Sequence, residues 1–169
     1  MKRLLPLLVG SLLLLTPAFS QVRTYSENAS KTFVVGLDSY FYGETGSLSF
    51  EAAGRSFQAS VGADGVFVGG QRLGSDGDVV IGIHDFTGDR VPEFVMAQRL
   101  ENAIGLWIYS LNDSSWSPLK MMSVRGAKEV RIFRQVVSVR QGEALCSWTW
   151  HGDKFDYKAS DGSAEPTSL

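Results

Sequence analysis

Apolar and polar residues along this chain repeat with a period near two, in short runs separated by glycines. That is the pattern of strands joined by tight turns, and helical periodicity is almost absent. In residues 56–61, Phe57, Ala59 and Val61 alternate with Ser56, Gln58 and Ser60, so one side is apolar and the other polar, as in a half-buried strand. Leu48 and Phe50 belong to a preceding strand across an Ala52-Ala53-Gly54 turn. Gly62-Ala63-Asp64-Gly65 then leads into Val66-Phe67-Val68, giving a meander of small hairpins. Two later segments break the alternation: residues 78–84 carry Val79, Val80, Ile81 and Ile83, and residues 93–98 carry Phe94, Val95, Met96 and Ala97. Runs this continuously apolar predict central strands covered on both faces. Residues 105–111 and 116–122 follow, on either side of an Asn112-Asp113-Ser114-Ser115 turn. Residues 129–140 read as one strand with a bulge. Residues 143–150 and 154–158 complete the set, after turns at Gln141-Gly142 and His151-Gly152-Asp153. The expectation is an all-β domain of about ten strands, either an antiparallel β-sandwich or a strongly curled meander sheet. A closed propeller would need more chain, since even four blades of roughly 40 residues exceed the 149 residues from Gln21 onward.

The N-terminus has a different composition. Lys2 and Arg3 precede a short apolar run over residues 4–15, and Ala18-Phe19-Ser20 is a small-x-small cleavage site, which together predict a secretory signal over residues 1–20 and a mature start near Gln21. The run is interrupted by Pro6 and is short for a bilayer crossing, and no later segment is apolar for long enough to span one. The chain would therefore be exported to the periplasm or the extracellular space, with residues 21–160 as one β domain and residues 161–169 as a small, polar, frayed tail. Losing Lys2 and Arg3 leaves 14 basic against 18 acidic residues, a charge of about −4 that points to neither nucleic acid nor an anionic membrane as partner. Cys146 is the only cysteine, so no intramolecular disulfide can form and the fold must hold by its core and its backbone ladders.

Chemistry concentrates in residues 85–93, Asp-Phe-Thr-Gly-Asp-Arg-Val-Pro-Glu, between the two most apolar segments. Asp85, Thr87, Asp89 and Glu93 stand at the first, third, fifth and ninth places of the loop, with the Val91 carbonyl at the seventh, the ligand order of a compact calcium loop. The stretch resembles the calcium loop of FG-GAP and VCBS-type repeats over about 20 residues, matched at Asp85, Gly88, Asp89 and Glu93. That resemblance implies a weak, structural calcium ion held by Asp85, Thr87, Asp89, Val91 and Glu93. Thr87 stands where the family has Asn or Asp, and Arg90 where a glycine makes the sharp turn, which would place a bulky residue at positive φ at a cost on the order of 1 kcal/mol. A turn closed by side-chain to backbone hydrogen bonds, without metal, is the other reading of the same residues.

The succession of small hairpins, the residues 85–96 segment, a loop, and a C-terminal hairpin through Trp148-Thr149-Trp150-His151-Gly152-Asp153-Lys154-Phe155 is similar to bacterial periplasmic inhibitors of invertebrate-type lysozyme. Those are β-sandwich proteins that plug an enzyme cleft with a loop. The resemblance implies that Leu100, Glu101, Asn102, Ala103, Ile104 and Gly105 form the partner-binding loop, here without the serine that the family carries.

Other candidates are weaker. His84 and His151, the only histidines, lack metal-ligand spacing, and a small hydrolase would need one of them in a cleft beside a carboxylate. Trp148 and Trp150 share one face of their strand with Ala144 and Cys146, while Ser147 and Thr149 face away, which suits a core strand. If exposed instead, the two rings would make a carbohydrate-binding platform. Arg125, Lys128, Arg131, Arg134 and Arg140 form the only basic run, either a solvated strand edge or a surface for an acidic partner. With no paired acid and base groups in the sequence, the expected function is non-enzymatic recognition or inhibition of a protein partner of unknown identity.

Overall fold

The structure, a computed structural model, describes residues 32–166 of the 169. The expected signal and mature start, and residues 167–169, lie outside the described residues. Fourteen strands and their turns make up the described chain, and no helix in it is long and apolar enough to cross a membrane. In order they are β1 Val34–Val35, β2 Ser39–Gly43, β3 Gly46–Ala52, β4 Arg55–Gly62, β5 Gly65–Val68, β6 Gln71–Gly74 and β7 Val79–His84. The second half holds β8 Glu93–Leu100, β9 Ala103–Asn112, β10 Ser115–Arg125, β11 Val130–Phe133, β12 Val136–Gln141, β13 Ala144–Trp150 and β14 Phe155–Ala159. The all-β expectation holds, with fourteen strands in place of ten.

They form three sheets, ordered β1-β11-β12-β13-β14, β10-β9-β8-β7-β2 and β3-β4-β5-β6. Every pairing is antiparallel except β1 with β11. The β7–β10 sheet lies in the middle, because its strands bury side chains on both faces. Val80, Val95, Ala97, Ile104, Leu106 and Ile108 join the β11–β14 sheet in one core. Val79, Ile81, Phe94, Met96 and Tyr109 join the β3–β6 sheet in the other. The continuous apolar runs of β7 and β8 thus have the cause expected of them, two cores served by alternate residues of one strand. The outer sheets alternate: Leu48, Phe50 and Ala52 are buried while Ser49 and Glu51 are exposed. A slip of one residue in register would turn those apolar residues to water, so this pattern holds the pairing in place.

Segments 129–140 are not one bulged strand. They form a hairpin, β11 to β12, closed by Arg134-Gln135, with Val130 opposite Val139 and Ile132 opposite Val137. Arg134 takes φ 52°, a left-handed conformation that a non-glycine residue rarely adopts, so no turn signal marked the corner. Its strands supply Val130, Ile132, Val137 and Val139 to the core, where Cys146, Trp148 and Trp150 of β13 meet them. At the other edge, Gly36 at φ 98° brings the chain against β11 so closely that a Cβ there would collide with the Ile132 carbonyl oxygen.

The described end of the chain is fastened to this sheet and to β10 of the central one. Glu165 Oε1 accepts the indole N–H of fully buried Trp148 at 2.7 Å and the Lys120 ammonium at 2.6 Å. Ser160 exchanges hydrogen bonds with the Leu145 backbone.

Candidate functional site

The acidic turn is held together by its own backbone amides. Asp85 Oδ1 accepts from the Gly88 amide at 2.7 Å and Asp85 Oδ2 from the Arg90 amide at 3.0 Å. Glu93 Oε2 accepts from the Phe86 amide at 2.7 Å and the Thr87 amide at 3.4 Å, and Glu93 Oε1 from the Thr87 hydroxyl at 3.2 Å. Asp89 Oδ1 accepts from the Val91 amide at 2.8 Å. Arg90 does occupy positive φ, at 71°, and the two amides that meet Asp85 offset that strain. Glu93 is buried, and burial pushes its carboxyl above the ordinary range, a shift that the Phe86 and Thr87 hydrogen bonds oppose without cancelling. Asp85 and Glu93 thus accept with both carboxylate oxygens and Asp89 with Oδ1, while the Thr87 hydroxyl donates, all inside the loop. No group of three His, Cys, Asp or Glu side chains among the described residues is placed to hold a metal ion. These bonds make residues 85–91 an Asx-type turn closed by its own backbone amides.

His84 ends β7 on the face turned to the β11–β14 sheet. Its Nε2 lies 2.7 Å from the Arg134 carbonyl oxygen, which makes that nitrogen the donor. Its Nδ1 stands 3.2 Å from Asp38 Oδ2, within ion-pair distance though out of line for a hydrogen bond. The ring packs edge-on to Phe86 at 4.7 Å, so His84 serves as a tie between the central sheet and the β11–β12 corner. His151 lies exposed in the β13–β14 turn. Neither histidine lines the grooves described below.

Trp148 and Trp150 are 0% and 7% exposed. The carbohydrate platform is corrected by this burial: the hydroxyls of Ser147 and Thr149 take the outer face and the rings the inner one. Trp148 packs on Tyr157 at 5.1 Å and Trp150 on Phe155 at 5.2 Å, which leaves no ring face for a sugar. Cys146 is buried beside them, with the Tyr157 hydroxyl 3.4 Å from its sulfur.

The expected partner-binding loop is tighter than its sequence suggested. β8 runs to Leu100 and β9 starts at Ala103, with Leu100 paired to Ala103, Arg99 to Ile104 and Gln98 to Gly105. Only Glu101 and Asn102 form the turn. Ile104 is 1% exposed and belongs to the core, and Gly105 is buried, so neither can touch a partner. Leu100, Glu101, Asn102 and Ala103, in contrast, wall an open groove of about 1040 Å³. Its other walls are Ser123 and Arg125 at the end of β10, Gly126, Gln141 at the end of β12, and Pro166 of the fastened tail. The Gly126 amide donates to the Asn102 carbonyl at 2.6 Å, tying two of these walls together. Sequence reasoning missed Ser123, Gln141 and Pro166, because only the stacking of the sheets brings three separate chain segments to one end.

A second trough of about 680 Å³ shares Gly126 with the groove and runs over the outer face of the β11–β13 hairpins, lined also by Lys128, Glu129, Arg131, Ser138, Arg140, Gly142 and Leu145. Three residues of the basic run, Lys128, Arg131 and Arg140, thus gather on one surface. No known protein family, curated protein or solved structure matches this chain.

Proposed function

We propose that the protein is an exported, non-enzymatic recognition module that holds a protein partner at the β8–β9 end of the sheet stack. The observation that carries the reading is the groove itself, whose exposed Glu101 and Asn102 sit on a two-residue turn between β8 and β9, two paired strands of the central sheet. A stiff support of that kind presents polar contacts with little ordering cost on binding. The groove offers an anion and a cation, Glu101 and Arg125, with amides from Asn102 and Gln141, a lining suited to the polar surface of a folded protein. The same segment is the one that the likeness to inhibitors of invertebrate-type lysozyme points to, and such a lysozyme is the first partner to try. The test is capture from an envelope extract and inhibition of an invertebrate-type lysozyme, each with wild type and with a Glu101→Ala, Asn102→Ala variant of unchanged melting temperature. Loss of a wild-type partner in the variant supports the reading. Identical capture by both proteins overturns it.

A further inference from the structure

We infer that the trough on the outer face of the β11–β13 hairpins is a second, separate interaction surface, built for an acidic protein segment that also carries apolar side chains. The argument starts from charge. The whole chain is net negative, with 18 acidic against 16 basic residues. Residues 125–140 nonetheless hold five of the basic residues and one acidic residue, Glu129.

Glu129 is already engaged, at 2.6 Å from Arg131 Nε. Lys128 and Arg140 face no carboxylate partner among the described residues, and both are exposed. Across the hairpin Arg140 stands opposite Leu145, a large apolar residue left 44% exposed, and Ser138 stands opposite Arg131. Cations flanking an exposed leucine on a firm sheet match the arginine-rich, partly apolar composition of protein interfaces. A sulfated glycan would meet the charge and leave the leucine unused. Phe133, 70% exposed at the β11–β12 corner, shares this outer face with Arg131 but lies outside the trough lining, so an anionic membrane is kept as a competing outcome of the test.

This surface does not depend on the groove at the β8–β9 turn, and the experiment separates the two. The probe is a fluorescein-labelled synthetic peptide of alternating Glu and Leu, read by anisotropy with the full chain. Heparin and vesicles of anionic phospholipid serve as competitors. The inference expects saturable binding that weakens as salt screens the charges, and a loss of about tenfold in affinity in a Lys128→Glu, Arg140→Glu variant, in keeping with a few exposed ion pairs. Both side chains are on the surface, and an unchanged thermal melt establishes that the variant is folded. The Glu101→Ala, Asn102→Ala variant should bind the peptide as wild type does. Absence of binding, equal binding by the charge-reversed variant, or stronger binding to heparin or the vesicles than to the peptide overturns the inference.

Discussion

Replacing Glu165 by Ala should loosen the tail that walls the groove, and the structure sets the size of the effect. The carboxylate takes two bonds on one oxygen, from the Trp148 indole and from Lys120. The Trp148 bond matters more, because that ring is fully buried and its N–H would lose its acceptor. Hydrogen bonds to charged groups contribute about 1.5–3 kcal/mol. The Glu165 side chain is 40% exposed, so solvent screening and water entering behind a released tail place the loss near the low end, about 1.5 kcal/mol. For a domain of this size that corresponds to a fall of roughly 6 °C in melting temperature. Lys120→Ala removes only an exposed pair and should cost under about 1 kcal/mol. Burial acting alone would raise the Glu165 pKa, but the Lys120 and Trp148 bonds outweigh it and hold the carboxyl below the ordinary 4.5. Its contribution is therefore present above pH 4.5 and is lost as pH falls through the lower folded value. Thermal melts of wild type, Glu165→Ala and Lys120→Ala across that range are the assay. The latch is refuted if Glu165→Ala melts with wild type at neutral pH, or if Lys120→Ala costs as much as Glu165→Ala.

Three further outcomes are expected. Millimolar calcium decides between the two readings of the acidic turn: a metal-free turn leaves the melting temperature unchanged, and a rise that Asp85→Ala with Asp89→Ala abolishes supports the calcium loop. Glu93 has the opposite linkage to Glu165: with its folded pKa raised, the fold binds a proton that the unfolded chain does not, so its contribution grows more favourable as pH falls toward 4.5. Wild type should gain stability relative to Glu93→Gln over that interval, and a constant difference in melts would count against a buried carboxylate. Gly36→Ala should cost at least about 2 kcal/mol in denaturant titrations, combining positive φ with the clash on Ile132, and a neutral result would mean the β1–β11 contact is not as close as described.

Much of the fold was legible in the period of two. Phe57, Ala59 and Val61 marked an inner face, and the unbroken apolar runs of β7 and β8 marked the middle layer before any partner layer was known. What escaped was whatever depends on a corner without turn chemistry or on contacts distant in sequence. Arg134 and Gln135 close a hairpin with neither glycine nor asparagine, so β11 and β12 fused into one strand in the sequence reading. Ile104 and Gly105 were assigned to a loop because the pairing of Arg99 with Ile104 extends β9 two residues before its apolar run looks continuous. Glu165 looked like part of a polar tail, since its partners Lys120 and Trp148 lie 45 and 17 residues away. The acidic turn was legible as a turn, with its ligand order readable in two ways. What no side-chain pattern encodes is where the Phe86, Gly88 and Arg90 amides point, which closes the turn.

The central claim is that recognition takes place at the β8–β9 end of the stack, and contact at that end is its most direct measure. A photo-crosslinking side chain placed at Asn102 in the groove should join the protein to a discrete partner in envelope extract. The same group at Ser49, exposed on the outer face of the β3–β6 sheet, should not. Equal adducts from both positions, or an adduct from Ser49 alone, would contradict the account.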